Sequence, residues 1–414
     1  MSMTRHIFKQ LWNCRRTNLW ICILLCIITL LMWYAFDIVY NYEAAARSPM
    51  GYDYVGVYNI DLRFREDARR DASWEDVDRQ KLSIKTLLEN YPGIESVTWS
   101  RGSRPFSRNR MFEGYCTHDD SSRVVSTFIS YVSPGYFDVY DVRPIYGSID
   151  LDAWNPGEYP MPAVLTEDLA DSLFRDMTNV VGRTFFNPYY KDKVTNYRVA
   201  AVVPRQKRDD YERYDPMIYL PVSDKDIQMT TLIVRVRPEA RAGFAERFSR
   251  EMRHRIEQGV YYLYAVRSLE ECRDTYNVEN GTVNYLNATY CMIGFFLFTV
   301  FLIVLGTFSI RTRRRRSEIG LRMAMGSSRR RVMTEFILEG VLILFIAAFP
   351  ALLIAAYMAR LEITVNTLTD MSAARFVGCF AAAVAVLTMV IMLAVWPSAR
   401  KAMLISPAEA LHDE

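Results

Sequence analysis

The 414-residue chain contains no G-x-x-x-x-G-K-[ST] run. Without that glycine-rich loop and its lysine there is no P-loop to cradle the phosphates of a nucleotide. Any ATP energy the protein uses is therefore expected to enter from another polypeptide. Histidine is scarce, with only His6, His118, His254 and His412. A zinc site needs about four converging ligands at characteristic spacings. The stretch Cys116-Thr117-His118-Asp119-Asp120 has no second cluster to complete such a set, so it reads as a polar surface loop. No G-x-S-x-G elbow offers a serine nucleophile, and His254 reads as a solvated position on an amphipathic helix. We expect no enzyme and no directly bound cofactor or metal. Tandem repeats and low-complexity linkers are also missing, which leaves no obvious break in a folded chain.

What the chain does have is strong segregation of its apolar residues. Residues 17–36, 280–310, 340–359 and 376–399 carry no charged side chain. A helix of roughly 20 apolar residues crosses a hydrocarbon core about 30 Å thick, and only as helices can these backbones satisfy their own hydrogen bonds in lipid. Four transmembrane helices are predicted, at 19–40, 286–310, 336–359 and 376–396.

The net charge is only +3, but its placement is informative. Arg5, Lys9, Arg15 and Arg16 precede the first span with no acidic residue, and residues 311–331 hold nine arginines against Glu318 alone. The 360–375 loop is nearly balanced by Glu362 and Asp370. Short loops rich in Lys and Arg stay on the cytoplasmic side. This places the termini (1–18 and 397–414) and the 311–335 segment inside, with residues 41–285 and 360–375 outside. A cleavable signal peptide ending near Ala44-Ala45-Ala46 is the rival for the first span. The apolar run exceeds a typical h-region and Ala46 lies well past its end, so a retained span is favoured, with Trp33, Tyr34 and Tyr40 as its interfacial belt. Asp37, near the outer end of this span, reads as a marker of the interface rather than an intramembrane switch.

Cys22, Cys26, Cys291 and Cys379 fall in spans as small apolar fillers, and Cys14 falls inside. Only Cys116 and Cys272 lie in the external domain, where a disulfide between them is permitted by compartment but not demanded by spacing.

The external residues read as β-α-β units. Residues 52–62 form a strand, 73–90 a helix with Ser73 as N-cap and Glu75 and Asp76 in its first turn, and 94–100 a second strand. A second unit follows at 230–236, 238–256 and 260–266. Together they predict a ferredoxin-like α+β layer with a tyrosine-rich second lobe inserted at about 140–220. That insert includes a helix at 166–174 and a strand at 197–203. Tyr189, Tyr190, Tyr211 and Tyr214 could line a contact surface or simply pack.

The most informative segment is RTRRRRSEIGLRMAMGSSRRRVMTEFILEG, residues 311–340. It leaves the membrane on arginines and offers a short helical piece at 318–325, with Ile319 and Met323 available for docking. Gly326 suits a C-terminal cap and Ser328 a new N-cap, from which a second helix runs into span three. Positive-inside charge with a tight turn accounts for the arginines but not for the order of residues.

That order resembles the MacB/FtsX-like permease family of type VII ABC transporters, at Arg313 or Arg314, Glu318, Ile319, Gly320, Arg322, Ala324 and Gly326. The closing PSARKAMLISPAEAL, residues 397–411, resembles the family's terminal segment at Pro397, Arg400, Lys401, Ala402, Pro407, Glu409, Ala410 and Leu411. A weaker likeness is Val132-Ser133-Pro134-Gly135-Tyr136-Phe137, a turn of the family's periplasmic core domain. The glycine-rich step usual in span three is replaced by Ala347-Ala348-Phe349-Pro350, which puts the packing there in question.

The resemblance implies an α-helical membrane protein with four spans and a large periplasmic α+β domain, a ferredoxin-like porter lobe with an inserted lobe, in the inner membrane. It implies an ATPase-coupling helix at about 322–332, with Arg329 and Arg330 beside the residues already named. It also implies a separate ABC ATPase that brings ATP and Mg, a second permease chain, identical or not, and membrane lipid. A periplasmic adaptor with an outer-membrane channel belongs to the efflux version, and no nucleic acid is expected. Efflux or extraction by mechanotransmission is the implied activity. Release of lipoproteins and FtsX-like control of cell-wall hydrolases are the alternatives.

Overall fold

The computed structural model describes residues 15–403 apart from 134, 150–156, 158, 176–178, 190–195, 223–226, 228, 258, 362 and 364–367. His6, Cys14, Tyr190, Pro407, Glu409 and His412 thus lie outside the described residues. In chain order the helices are α1 (Arg15–Arg47), α2 (Glu66–Asp71), α3 (Trp74–Glu89), α4 (Tyr136–Val139), α5 (Glu167–Phe174) and α6 (Phe244–Ile256). They continue as α7 (Leu269–Glu279), α8 (Thr282–Arg314), α9 (Arg316–Ala324), α10 (Arg329–Arg360) and α11 (Ala373–Met403). The strands are β1 (Val57–Phe64), β2 (Ile94–Gly102), β3 (Phe112–Thr117), β4 (Val125–Val132), β5 (Tyr146–Gly147) and β6 (Met161–Thr166). They end with β7 (Thr184–Phe186), β8 (Asn196–Val203), β9 (Met217–Pro221), β10 (Thr231–Val236) and β11 (Tyr261–Ser268). Two units result, Met1–Ala45 with Val283–Glu414, and Ala46–Thr282.

The first unit is helical. Its long members α1, α8, α10 and α11 are long and apolar enough to cross a membrane. At about 1.5 Å per residue each outreaches a ~30 Å hydrocarbon core, which is why every helix extends past the apolar stretch that defines it. Their shared core is built at helical spacing, with Leu25, Ile28 and Met32 of α1 against Val300, Val304 and Phe308 of α8 and Ala383, Leu387 and Ile391 of α11. Lipid tails are as apolar as leucine, so spans approach through small residues rather than by expelling water. Ala347, Ala348, Ala351 and Ala355 supply that small stripe on α10, all buried, while Phe349 and Pro350 face outward. Gly340 does the same about two turns earlier, since a Cβ there would stand 3.0 Å from Ile391 and 3.4 Å from Phe308. Trp33 does not form an interfacial belt. It is fully buried, edge-on to Phe376 at 5.5 Å, and Tyr34 packs partly against the same core.

The second unit has a ferredoxin-like half in which β11-β1-β10-β2 are neighbours in that order, all antiparallel. Ile60 at its centre faces Leu232 on one side and Val266 on the other. Helix α3 starts at a complete capping box, with Ser73 bonded to the Asp76 backbone and Asp76 returning to Ser73. Phe244, Phe248, Met252 and Ile256 of α6 recur every four residues and cover the sheet with Val77, Ile84 and Leu88 of α3. The single helix expected at 238–256 is broken because Gly243 adopts φ 63°, leaving a 3-10 turn at Pro238–Ala240 ahead of α6.

The inserted lobe begins at β3, earlier than residue 140. Strands β4-β3-β7-β8-β6-β9 pair in succession and β9 returns to β4, which closes a six-stranded ring. Closure leaves the ring without free edges. Tyr115, Ile129, Leu165, Phe185, Val199 and Ile218 fill it, together with Leu169 of α5. Strand β4 also pairs with β2, so one strand is shared by both halves. The Val132-Ser133 turn sits at that seam, where the Ser133 hydroxyl meets the Thr98 hydroxyl at 2.7 Å.

Candidate coupling site

Helix α8 ends at Arg314, and Arg315, at φ −106° and ψ 18°, redirects the chain into α9. A nine-residue helix is too short to hold its shape alone and must bury a face. Ile319 (5% exposed) does so in the core of the helical unit beside Val332 and Phe336, and Met323 packs partly against it. The expectation that Ile319 and Met323 are free for docking is therefore corrected. Gly320 is buried too. The exposed residues are Arg316, Ser317, Glu318, Leu321, Ala324, Met325 and Gly326, and of the apolar ones Leu321 is 50% and Met325 74% exposed.

The turn after α9 is a Schellman motif. The Gly326 N–H donates to Met323 O at 3.1 Å and the Ser327 N–H to Arg322 O at 3.0 Å, which satisfies carbonyls the helix end would otherwise orphan. Gly326 takes φ +95° in open space. Ser328 then caps α10, its side chain accepting the Arg331 N–H. Arg329 and Arg330 open α10 and are exposed.

Charge pairs brace this corner. Arg322 binds Glu318 one turn back and reaches Glu335 of α10 at 3.3 Å. Glu339, buried in α10, accepts Arg311 at 2.7 Å and Arg315 at 3.1 Å. Arg311 also donates to Asn18 of α1, so one junction joins α1, α8 and α10. Glu335, Glu339 and Asn18 were missed in the sequence. Counting charges across 311–331 stops about one turn short of Glu335 and two short of Glu339, and their spacing of four on α10 is the signal that would have found them. At the chain's end, Pro397 lies inside α11, and Arg400 and Lys401 occupy its exposed last turn.

A second junction lies at the other end of the helical unit. Asp37 is fully buried and takes both Nε and Nη2 of Arg375, each at 2.7 Å. It is not an interface marker but half of a buried bidentate pair. Arg375 Nη1 continues to Thr369 O at 2.9 Å, and Asn41 Oδ1 accepts from the Thr369 N–H at 3.0 Å.

In the β-rich unit the loop 205–215 gathers both chain ends. Residues Gln206 to Asp210 are all polar and all buried. The Lys207 N–H donates to Met50 O at 3.0 Å and its Nζ to Ser48 Oγ at 3.1 Å, while Tyr214 donates to Pro49 O at 2.9 Å. On the other side Asp210 accepts Arg273 at 2.6 Å and Asn277 at 2.8 Å, both from α7. Burial lowers the Lys207 pKa and raises those of Asp209 and Glu212. Lys81 occupies the apolar stripe of α3 between Val77 and Ile84, donating to the Ile227 and Thr230 carbonyls, and burial brings its pKa down to about 7.

Cys116 and Cys272 are free thiols. Cys116 points toward Phe186 O in the ring of strands, whereas Cys272 accepts from Asn59 on β1. The pairing that the compartment permits is not made. His118 stacks on Phe186 at 4.6 Å. Tyr189 is 73% exposed.

Comparison with known proteins divides the chain along similar lines. Residues 26–250 match the MacB-like periplasmic core domain, and residues 290–407 match the FtsX-like permease C-terminal. The chain is 24% identical over 295 residues to the macrolide export ATP-binding/permease protein MacB of Bradyrhizobium diazoefficiens. That match takes in 69% of this chain and 42% of the relative, so the chain spans less than half of that protein's length. Among solved structures, a domain assigned as a permease of Porphyromonas gingivalis covers 44% of this chain and 75% of its own, at TM-score 0.32 and 18% identity. The extracellular domain of the noncanonic ABC-type transporter YknZ from Gram-positive bacteria covers 50% and 99%, at TM-score 0.32 and 12% identity.

Proposed function

The chain belongs to the MacB/FtsX-like ABC permease family, and we propose that it works by mechanotransmission, carrying the closing of a partner ATPase across the membrane to its external domain. The observation that carries this reading is the corner at α9. Its inner face is fixed to α8 and α10 through Ile319, Glu335 and Glu339. Its outer face, Leu321 and Met325 followed by Arg329 and Arg330, is left to a soluble partner. A load on that face is passed to the spans rather than absorbed by a loose loop.

In this reading the arginine-rich end is cytoplasmic in the inner membrane, and the ATPase brings ATP and Mg to its own site. A second permease chain packs on span α8, whose Phe295, Phe298 and Leu302 face outward. The β-rich unit handles a substrate for efflux or extraction outside the membrane, together with an adaptor and an outer-membrane channel.

The test is capture of the ATPase by the tagged, full-length chain from its native membrane. Leu321→Asp with Met325→Asp should abolish capture while the chain still inserts. Undiminished capture by that variant would refute the assignment of α9. An ATPase arriving with a cell-wall hydrolase in place of an adaptor would move the function from transport to regulation.

A further inference from the structure

The loop that follows β2 contains an uncommon backbone conformation. Phe106 has φ 50°, a region that bulky side chains rarely enter. Its ring is buried and meets Tyr54 edge-on at 5.4 Å, and its N–H donates to Arg208 O at 2.9 Å. Residues held in such conformations by their surroundings cluster at ligand sites. The same loop is tied down again at Arg108, which donates to Glu279 O at 2.8 Å. Residues 104–108 held in this way form one wall of a cleft of about 190 Å³ in the β-rich unit. Another wall is a face of α7, where Cys272, Thr275, Tyr276 and Glu279 recur at helical spacing, and Asn59 and Asp61 of β1 add to the lining.

Two of the three arginines in this cleft are matched. Arg267 binds Asp61 at 2.6 Å, and Arg108 lies 3.6 Å from Glu279. Arg104 is half-buried and makes neither a hydrogen bond nor an ion pair among the described residues. Its charge is felt nearby, for burial lowers the Lys81 pKa most and Arg104 lowers it further.

We propose that this cleft binds the carboxylate of a small polar acid, with Arg104 as the anchor. A guanidinium presents a planar fork of N–H groups that matches two carboxylate oxygens. Two hydroxyls can add to it. Ser107 accepts the Asn109 N–H at 3.1 Å, which leaves its own proton to donate. Thr275 makes no side-chain hydrogen bond among the described residues. Charge then selects among anions. Asp61 and Glu279 also line the cleft, and like charges at close range disfavour a doubly charged phosphate more than a carboxylate. Those acids and the Asn59 amide oxygen can in turn accept from hydroxyls on the body of the ligand. The volume is below the roughly 300–1,000 Å³ of sites for drug-sized molecules, so the acid is small. None of this depends on how α9 meets its partner.

Saturation-transfer NMR of the detergent-solubilised full chain, with lactate as probe, tests the proposal. Lactate should receive saturation from the protein, and propionate, which lacks its hydroxyl, should bind more weakly. No transfer to lactate would overturn the site, and equal binding of the two acids would overturn the polar body of the ligand. Arg104→Gln should weaken the apparent affinity roughly tenfold or more, as expected for a lost hydrogen bond between charged groups. Arg104→Lys keeps the charge without the fork and should fall between. The control is Arg237→Gln, an exposed arginine of the same unit that does not line the cleft, and it should change nothing. Equal effects of Arg104→Gln and Arg237→Gln would mean diffuse surface charge and overturn the anchor. Thr275→Val keeps shape and charge and should weaken binding about threefold, in line with one lost neutral hydrogen bond; an unchanged affinity would overturn its part in the site. Inorganic phosphate displacing lactate more readily than acetate does would assign the cleft to phosphate and overturn the carboxylate. Equal unfolding temperatures across the variants separate these outcomes from misfolding.

Discussion

The pair between Asp37 and Arg375 offers the sharpest quantitative test of how the helical unit is held. Both side chains are within 1% of complete burial, and the carboxylate meets two parallel N–H groups at 2.7 Å each. Arg375 spends its remaining fork on Thr369, so neither charge depends on water. Removing one member strands the other, and an uncompensated buried charge costs about 3–5 kcal/mol. Arg375→Met should therefore lower the unfolding temperature by roughly 6–20 °C on ordinary scaling. Asp37→Asn should cost less, since the amide keeps one acceptor for the fork. The double variant Asp37→Leu with Arg375→Met removes both charges at once and should recover most of the loss, because a buried ion pair barely repays its own desolvation. Thermal unfolding of the detergent-solubilised chain reads all three, and Trp33, stacked edge-on against Phe376 next to Arg375, gives a local fluorescence signal. A double variant as unstable as Arg375→Met would refute the electrostatic account. It would mean that the side chains matter for their packing and not for their pairing.

Gly326→Ala should cost about 1 kcal/mol and weaken ATPase capture, because φ +95° resists a Cβ even though the space around it is open; a neutral result in both readouts would refute the role of the turn. Asp210→Asn should destabilise the 46–282 unit by about 2–3 kcal/mol in denaturant unfolding, since Arg273 loses its buried carboxylate. Lys81 holds a pKa of about 7 when folded against about 10.4 when unfolded. Between those values the unfolded chain binds more protons, so stability should climb as pH rises through that window and level off above it. Lys81→Met should flatten that slope, as followed by unfolding of the 46–282 unit at several pH values.

Much of this architecture was legible in the chain because its signals are local. Charge-free runs mark the spans, Ser73 and Asp76 mark a capping box, and Gly326 and Ser328 mark a stop and a start. The parts that were not legible depend on partners distant in sequence. Nothing near Asp37 announces Arg375, more than 300 residues away. Nothing in the tyrosine-rich stretch announces that β9 returns to β4 and closes a ring. Trp33 misled for a related reason, since an aromatic near a span end suits the interface and the core equally well, and only Phe376 decides between them. Ile319 misled because a short helix looks like a docking element from either face. Which face is open depends on Val332 and Phe336 of the next helix.

The junctions differ in strength, and the difference bears on what can move. Helix α1 is bound to α8 and α10 through Asn18, Arg311 and Glu339 at one end and to α11 through Asp37 and Arg375 at the other. Near that second end, α8 meets α1 through the rings of Tyr42 and Tyr285 at 5.6 Å. An aromatic pair contributes about 0.5–1.5 kcal/mol beyond its buried area, well below what breaking a buried ion pair costs. Among the described contacts, α1 is thus held by charged and polar groups at both ends, and α8 by such groups at its Arg311 end and by an aromatic pair at the other. A load entering at α9 should shift the far end of α8 against α1 before it separates α1 from α11. Under the mechanotransmission proposed above, such a shift should pull unequally on the two chain ends of the external unit. There the 205–215 loop grips Ser48 to Met50 on one side and Arg273 and Asn277 on the other. On that proposal a firm grip should convert the pull into movement of the whole unit, whereas a weakened one should let the ends part. On this reasoning, Asp210→Asn should leave ATPase capture and ATP turnover intact while lowering whatever work the external domain performs. A variant that loses both in equal measure would place the loop in folding alone.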